Sequence, residues 1–315
     1  MTVGDDAVAA LQVLVVTGSA PLLVGVTRKV RALLEGRAGA SVAQPWRDLR
    51  KLFGKERIVP EHASWVFGVA PLVVVSTVSL VAAAVPFVST RAPLAGVGDL
   101  FTVAYLLLVG TVALALAGLD PGTAFGGMGA SREMTIAALA EPTVLLAVFA
   151  LSVPARSSSL ARIVAATLAA PHRAVSVESL LAFAAFAVVV VAEAGRLPVD
   201  NPATHLELTM VHEAMVLEYA GPDLALVELG AAMRLVVLLG LMASLFAPWG
   251  IATTARPAQV ALATLAFVAK VGVLGAALAG FEVFVAKLRL FRVPELLAAS
   301  FVLALLAVTV SFFLA

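Results

Sequence analysis

Cysteine is absent from all 315 residues, so the chain can form no disulfide, ligate no iron-sulfur cluster, and lend no thiolate to a nickel-iron or Cys-type zinc centre. Any redox chemistry associated with it must sit on another polypeptide. Charge is scarce as well: Asp, Glu, Lys and Arg make up 13% of the residues, against about 25% in soluble domains. With 21 bases and 20 acids the net charge is +1, so no bulk positive field invites a nucleic acid. Apolar residues fill the space, at 62% of the chain with a mean hydropathy of +1.05. That excludes an ordinary water-soluble enzyme.

A bilayer core of about 30 Å takes about 20 mostly apolar residues in a helix, because every peptide group must find its hydrogen bond inside the segment. Eight stretches qualify, at roughly 7–27, 63–89, 99–119, 134–153, 174–192, 224–247, 258–285 and 294–315. They are continuously apolar rather than alternating, which favours helices over a barrel. The expectation is an all-α integral membrane bundle, one polytopic domain, with Pro71, Pro86 and Pro142 inside spans or near their ends. The first span starts at Asp5 and Asp6 instead of a basic stretch and runs into an Arg-rich segment, so it is expected to stay as an anchor. Lys and Arg are unevenly shared between the loops. Segment 28–62 holds nine, the 120–133 and 193–223 loops one each, and 286–293 three, against five (Arg91, Arg156, Arg162, Arg173, Arg256) on the opposite side. The positive-inside rule then puts both termini outside a cell membrane. No repeat is visible, which counts against a stand-alone carrier of the inverted-repeat type.

The first loop mixes bases with apolar residues. Trp46, Leu49, Leu52 and Phe53 fall at i, i+3, i+6 and i+7 with Arg47, Asp48, Arg50 and Lys51 elsewhere, the pattern of a short amphipathic helix over 44–54 lying flat at the interface. Two readings stand: a topology signal touching anionic headgroups, or part of a docking surface for a cytoplasmic subunit.

Ionisable groups at mid-membrane cost about 2.5–3.5 kcal/mol each on insertion scales, so each needs a partner or a function. Glu141 falls in the fourth span, Glu228 and Arg234 in the sixth, Lys270 and Glu282 in the seventh, and Glu178 near the outer end of the fifth. Glu228 and Arg234 are turned to different faces of one helix, so their partners are expected on other helices. Glu141, Glu228 and Lys270 suggest stations of a buried polar path. The bland alternative is a set of ion pairs fixing helix register or an interface with another subunit.

Residues 193–228 carry seven carboxylates, Glu193, Asp200, Glu207, Glu213, Glu218, Asp223 and Glu228, against the single base Arg196. Pro198 and Pro202 predict a turn over 196–203, with a helix from Ala203 to Tyr219 after it. His205, Glu207, His212 and Glu213 are liganding types, but their spacing is wrong for the His-Glu-x-x-His helix, so no metal site is assigned. The bland reading is a solvated acidic face. Interleaved Met210, Val211, Met215, Val216 and Leu217 argue instead for partial burial, where carboxylate titration is easily perturbed.

At this segment the chain resembles a known family. Glu193-Ala-Gly-Arg196-Leu-Pro198-Val-Asp200 is similar to the Glu-x-x-Arg-x-Pro-Phe-Asp stretch of the subunit 1 family of respiratory complex I, and Glu218-Tyr219-Ala-Gly221 to its Glu-Tyr-Ser-Gly. The run EAGRLPVDNPATHLELTMVHEAMVLEYAG is closer to the membrane subunit of group 4 nickel-iron hydrogenases, of formate hydrogenlyase subunit 4 or hydrogenase-4 type. GRAGASVAQPWRDLRKLFGKE, SREMTIAALAEP and AKLRLFRVPELL resemble further family stretches, so the likeness is essentially full length.

The resemblance implies a bundle of about eight helices. Hydrogenase large and small subunit-like proteins and an iron-sulfur subunit would dock on its cytoplasmic side, and antiporter-like membrane subunits beside it. The nickel-iron centre and iron-sulfur clusters would sit in those partners, with no cofactor in this chain. Glu193, Arg196, Asp200, Glu207 and Glu218 would face the docked proteins, and Glu141 and Glu228 would begin an ion path. Ala203 and His205 stand where complex I is acidic, and the stretch before Glu218 is about one turn longer. Both departures favour the hydrogenase branch over a quinone-reactive one. The expected function is anchoring a redox arm and coupling it to proton or sodium movement. A quinone-reactive subunit and a passive scaffold are the alternatives.

Overall fold

A computed structural model describes residues 3–91, 94, 98–200, 210–254, 256–288 and 292–314. Eleven α-helices account for most of them: α1 (Val3–Leu34), α2 (Gln44–Phe53), α3 (Trp65–Ala84), α4 (Leu100–Leu119), α5 (Ala124–Ala155), α6 (Leu160–Ala169), α7 (Val177–Glu193), α8 (His212–Val216), α9 (Gly221–Phe246), α10 (Pro257–Phe284) and α11 (Val293–Leu314). Among the described residues there is no β-strand beyond two isolated bridges.

Seven of these helices are long and apolar enough to cross a membrane. The eighth expected span is α7, whose 17 residues rise about 26 Å. The protein is a multi-pass membrane protein built as an all-α bundle. Polar side chains start the helices after loops: Ser64 accepts from the Val66 N–H, Asp99 from that of Phe101 and Thr123 from that of Gly126, each satisfying a donor the helix cannot. Pro71 and Pro142 lie inside α3 and α5, whereas Pro86 falls beyond the end of α3. The centre is α9. Its most apolar window is 72% buried, against 28% for α10 and 33% for α11 at the periphery. It packs on α1, α3, α7 and α10, while α5 packs on α4, α7 and α11.

At one end of the bundle the chain doubles back along α1. An added Cβ at Gly25 would lie 1.9 Å from the Val42 carbonyl oxygen, so only glycine lets the connection rest there. The Trp46 indole N–H then donates to the Gly18 carbonyl at 3.3 Å. The amphipathic helix expected over 44–54 is present as α2. Pro45 and Leu49 are buried, with α2 against α1 and α9, while Trp46 and Phe53 stay exposed.

The opposite end is closed by paired loops. Ala252 donates to the Val88 carbonyl at 2.8 Å and Thr90 to that of Ala252 at 3.1 Å. Gln12, in α1, accepts from Val88 N–H at 2.9 Å and donates to the carbonyls of Ala82 and Val85 at 3.3 Å each.

Candidate functional site

The helices converge on a cavity of about 500 Å³ at the α2 end of the bundle. Arg28 and Arg31 reach it from α1, Asp48 and Leu49 from α2, Glu228 and Leu235 from α9, and Glu282 from α10. The Ala194–Asp200 turn and α8 close the remaining side with Arg196, Asp200, His212 and Glu213. Two of the bases are engaged with one buried acid. Glu282 lies with Oε1 at 3.5 Å from Arg196 and Oε2 at 3.9 Å from Arg31. Burial presses the Arg196 guanidinium below the ordinary arginine range, with the Glu282 carboxylate pulling the other way. Asp200 pairs with Lys287 at 3.1 Å and accepts from the His212 backbone N–H at 3.4 Å, which ties the turn to α8.

Deeper in the bundle is a second cavity of about 90 Å³. Thr111 of α4, Glu133 of α5, Glu193 at the end of α7 and Arg234 of α9 line it. Arg234 forms a salt bridge with Glu193 and donates to Thr111 Oγ1 at 2.5 Å. Ala194, Gly195, His212 and Ala231 belong to the walls of both cavities. Glu141 lies two turns beyond Glu133 on α5, near enough for the charges of Glu193 and Arg234 to act on it. A broken line of ionisable groups therefore runs from the wide cavity past Glu228 and His212 to Glu193, Glu133 and Arg234, and on to Glu141.

Not every expected residue joins that line. Lys270 lines neither cavity: its ammonium donates to the Ala247 carbonyl at 2.5 Å and to that of Trp249, beyond the end of α9. Glu218 is exposed, whereas its neighbour Tyr219 is buried, with its hydroxyl donating to the Phe67 carbonyl at 2.9 Å and its ring stacked on Phe67 at 4.1 Å. Pro198 is buried in the turn, where its carbonyl accepts from Leu288 at 3.0 Å. Arg47 and Lys51 are exposed on α2; Asp48 accepts from the Gln44 amide at 2.8 Å. Glu207 and His205 lie outside the described residues. Among the described residues no three His, Asp or Glu side chains gather as a metal site.

The helix expected over Ala203–Tyr219 is corrected by the structure. Within its described part only His212–Val216 is helical, with Val211 at φ −120° and ψ −83°. Glu133 was missed altogether. It precedes the apolar window that marks the fourth span, and the signal that could have found it is its place two helical turns ahead of Glu141 in SREMTIAALAEP.

A family model described as NADH dehydrogenase matches residues 7–313. The chain belongs to that family. Formate hydrogenlyase subunit 4 of Escherichia coli K12 is 36% identical over 299 residues, spanning 94% of this chain and 95% of that protein. Hydrogenase-4 component C of the same organism is 35% identical, over 78% of this chain and 75% of its own length. A subunit of the NADH-quinone oxidoreductase of Syntrophobacter fumaroxidans is 33% identical over 72% of each chain. A chain in the structure of the membrane-bound sulfane sulfur reductase, an archaeal respiratory membrane complex, superposes with a TM-score of 0.84 at 20% identity, covering 98% of this chain and all of that one. The fold is therefore shared with that chain, and the likeness to the hydrogenase members read from the 193–221 motifs holds over nearly the whole length.

Proposed function

We propose that this chain is the membrane anchor and ion-coupling subunit of a hydrogenase-type complex of the formate hydrogenlyase kind. Nickel-iron and iron-sulfur subunits dock at the α2 end, antiporter-like subunits lie alongside in the bilayer, and redox turnover in the docked arm drives proton or sodium movement. The observation that carries this reading is the pair of cavities sharing a wall, with titratable side chains spaced from Glu228 to Glu141. The α2 end carries most of the Lys and Arg of the loops, which supports a cytoplasmic position for it and both termini outside. Coupling needs only electrostatics: a charge change beside Asp200 or Glu213 alters the proton affinity of the next carboxylate across a few ångströms of low dielectric.

The wide cavity suits cations and water. Its wall carries five carboxylates, Asp48, Asp200, Glu213, Glu228 and Glu282, against Arg28, Arg31 and Arg196. A second reading, a quinone-reactive subunit, is favoured by its volume of about 500 Å³, within the range of small-molecule sites, and by its apolar patch of Val24, Leu49, Leu52 and Leu235. An inhibitor that competes for quinone sites separates the two: electron flow that it leaves untouched removes the second reading.

The deciding experiment uses the whole complex in inverted membrane vesicles. Glu141→Gln and Glu228→Gln are each expected to leave the complex assembled and to abolish ion uptake. Uptake that survives both substitutions overturns the reading; loss of the complex from the membrane would make these residues assembly groups and favour the passive scaffold.

A further inference from the structure

Four residues form the wall common to the two cavities, and three of them, Ala194, Gly195 and Ala231, carry nothing that can hold a proton. The fourth is His212. It shares the inner cavity's wall with Glu133 and the wide cavity's wall with Glu228. Imidazole is the side chain suited to this position, because it takes up and returns a proton near neutral pH and has one nitrogen to offer each side.

We propose that His212 is the proton gate between the wide cavity and the inner one, an inference that rests on the ion-coupling reading above. One ring nitrogen accepts a proton arriving from the Glu228 side, giving an imidazolium, and the other releases a proton toward Glu133. One proton has then moved inward and the ring is neutral again in its other tautomer, which a ring flip returns to the starting one. Charged groups share both cavity walls with the ring, among them Glu193 at the end of α7 and Asp200 in the turn. Glu133 shares the inner wall from α5, and Arg132, its neighbour on that helix, donates to the Met210 carbonyl at 2.8 Å. Glu228 and Arg234 lie on α9, Glu213 is its own neighbour, and α4 contributes no charged side chain along its length.

The turn before α8 gives the gate its control. Asp200 accepts from the backbone N–H of His212 while holding Lys287, so a docked subunit that pulls on the Asp200–Lys287 pair moves the imidazole relative to both cavities. Redox turnover outside the membrane would thereby open or close a single step, leaving the rest of the path in place.

The test is ion uptake by the complete complex in inverted vesicles, with and without added imidazole. His212→Ala is expected to lower uptake about a hundredfold, within the usual range for losing a proton-transfer group, and free imidazole entering the vacated space is expected to restore it. His212→Gln, which keeps a polar side chain that cannot titrate, should stay inactive. Normal uptake in His212→Gln overturns the gate, and so does a His212→Ala defect that imidazole leaves unchanged, since that marks a structural role. Glu141→Gln run alongside separates the levels. If Glu141→Gln is blocked while His212→Ala transports normally, only the gate fails; if Glu141→Gln and Glu228→Gln also transport, the coupling reading fails with it.

Discussion

Arg234, near the middle of α9, is paired with Glu193 at the last residue of α7, and the two close one side of the inner cavity. Both side chains are largely withdrawn from solvent. Removing one partner of such a pair strands the other charge in low dielectric, at about 3–5 kcal/mol, whereas replacing both with apolar residues is often neutral. Arg234→Met should therefore lower the thermal unfolding midpoint of the detergent-solubilised complex, and the double variant with Glu193→Met should recover most of that loss. Ion uptake should be lost in both. A single variant as stable as the parent would mean that the bridge holds nothing.

Hydropathy alone made the bundle legible, because a lipid-facing helix has to be apolar along its length. Where it erred, charge or brevity was the reason. The start of α5 at Ala124 rather than near 134 is hidden by Ser131, Arg132 and Glu133, which depress the apolar window just where the helix enters the site. The ten-residue α6 is too short to register as a span and leaves no motif. Pairing is another matter. That Arg234 would choose Glu193, or that His212 would stand between Glu133 and Glu228, depends on which helices touch, and one sequence carries no record of that. Motif likeness did better than pattern here, since the motifs marked the Ala194–Asp200 turn and the start of α8, which line the wide cavity.

Lys270 illustrates a charge with a different duty. Its ammonium satisfies the Ala247 and Trp249 carbonyls, which lie past the end of α9 and have no intrahelical donor. Lys270→Met should leave those acceptors unpaired at a cost of about 1–3 kcal/mol each, seen as a lower unfolding midpoint. Ion uptake per turnover should match the parent complex. Selective loss of uptake without loss of stability would return Lys270 to the ion path.

Tyr219 anchors the end of the acidic segment to the start of α3. Burial raises the pKa of its hydroxyl above the ordinary tyrosine value, with Asp223 and Asp120 adding to the shift. A folded-state value above the unfolded one, about 10, means the protonated phenol favours the fold: its contribution is complete below about pH 10 and declines as pH climbs past it. Tyr219→Phe keeps the stack on Phe67 and loses one hydrogen bond, so it should cost about 0.5–1.5 kcal/mol. That difference should stay constant in unfolding measurements from pH 6 to 9. A difference that shrinks within this window would contradict the assignment of the hydroxyl as a neutral donor to the Phe67 carbonyl.

Glu133 offers the sharpest comparison, because it stands in the inner cavity while Glu141 lies two turns further along the same helix. If protons pass through both in turn, each is required and neither adds to the other, since groups acting as a unit show strongly non-additive effects. Glu133→Gln should then lower ion uptake as far as Glu141→Gln does, and the double variant should be no worse than either single one. Parallel routes would instead give two partial losses that multiply. The substitution is nearly isosteric, and Arg234 keeps its bridge to Glu193, so the unfolding midpoint should move little. Uptake by Glu133→Gln at the parental rate, in a complex where Glu141→Gln is blocked, would mean that ions reach Glu141 by a route that does not cross the inner cavity.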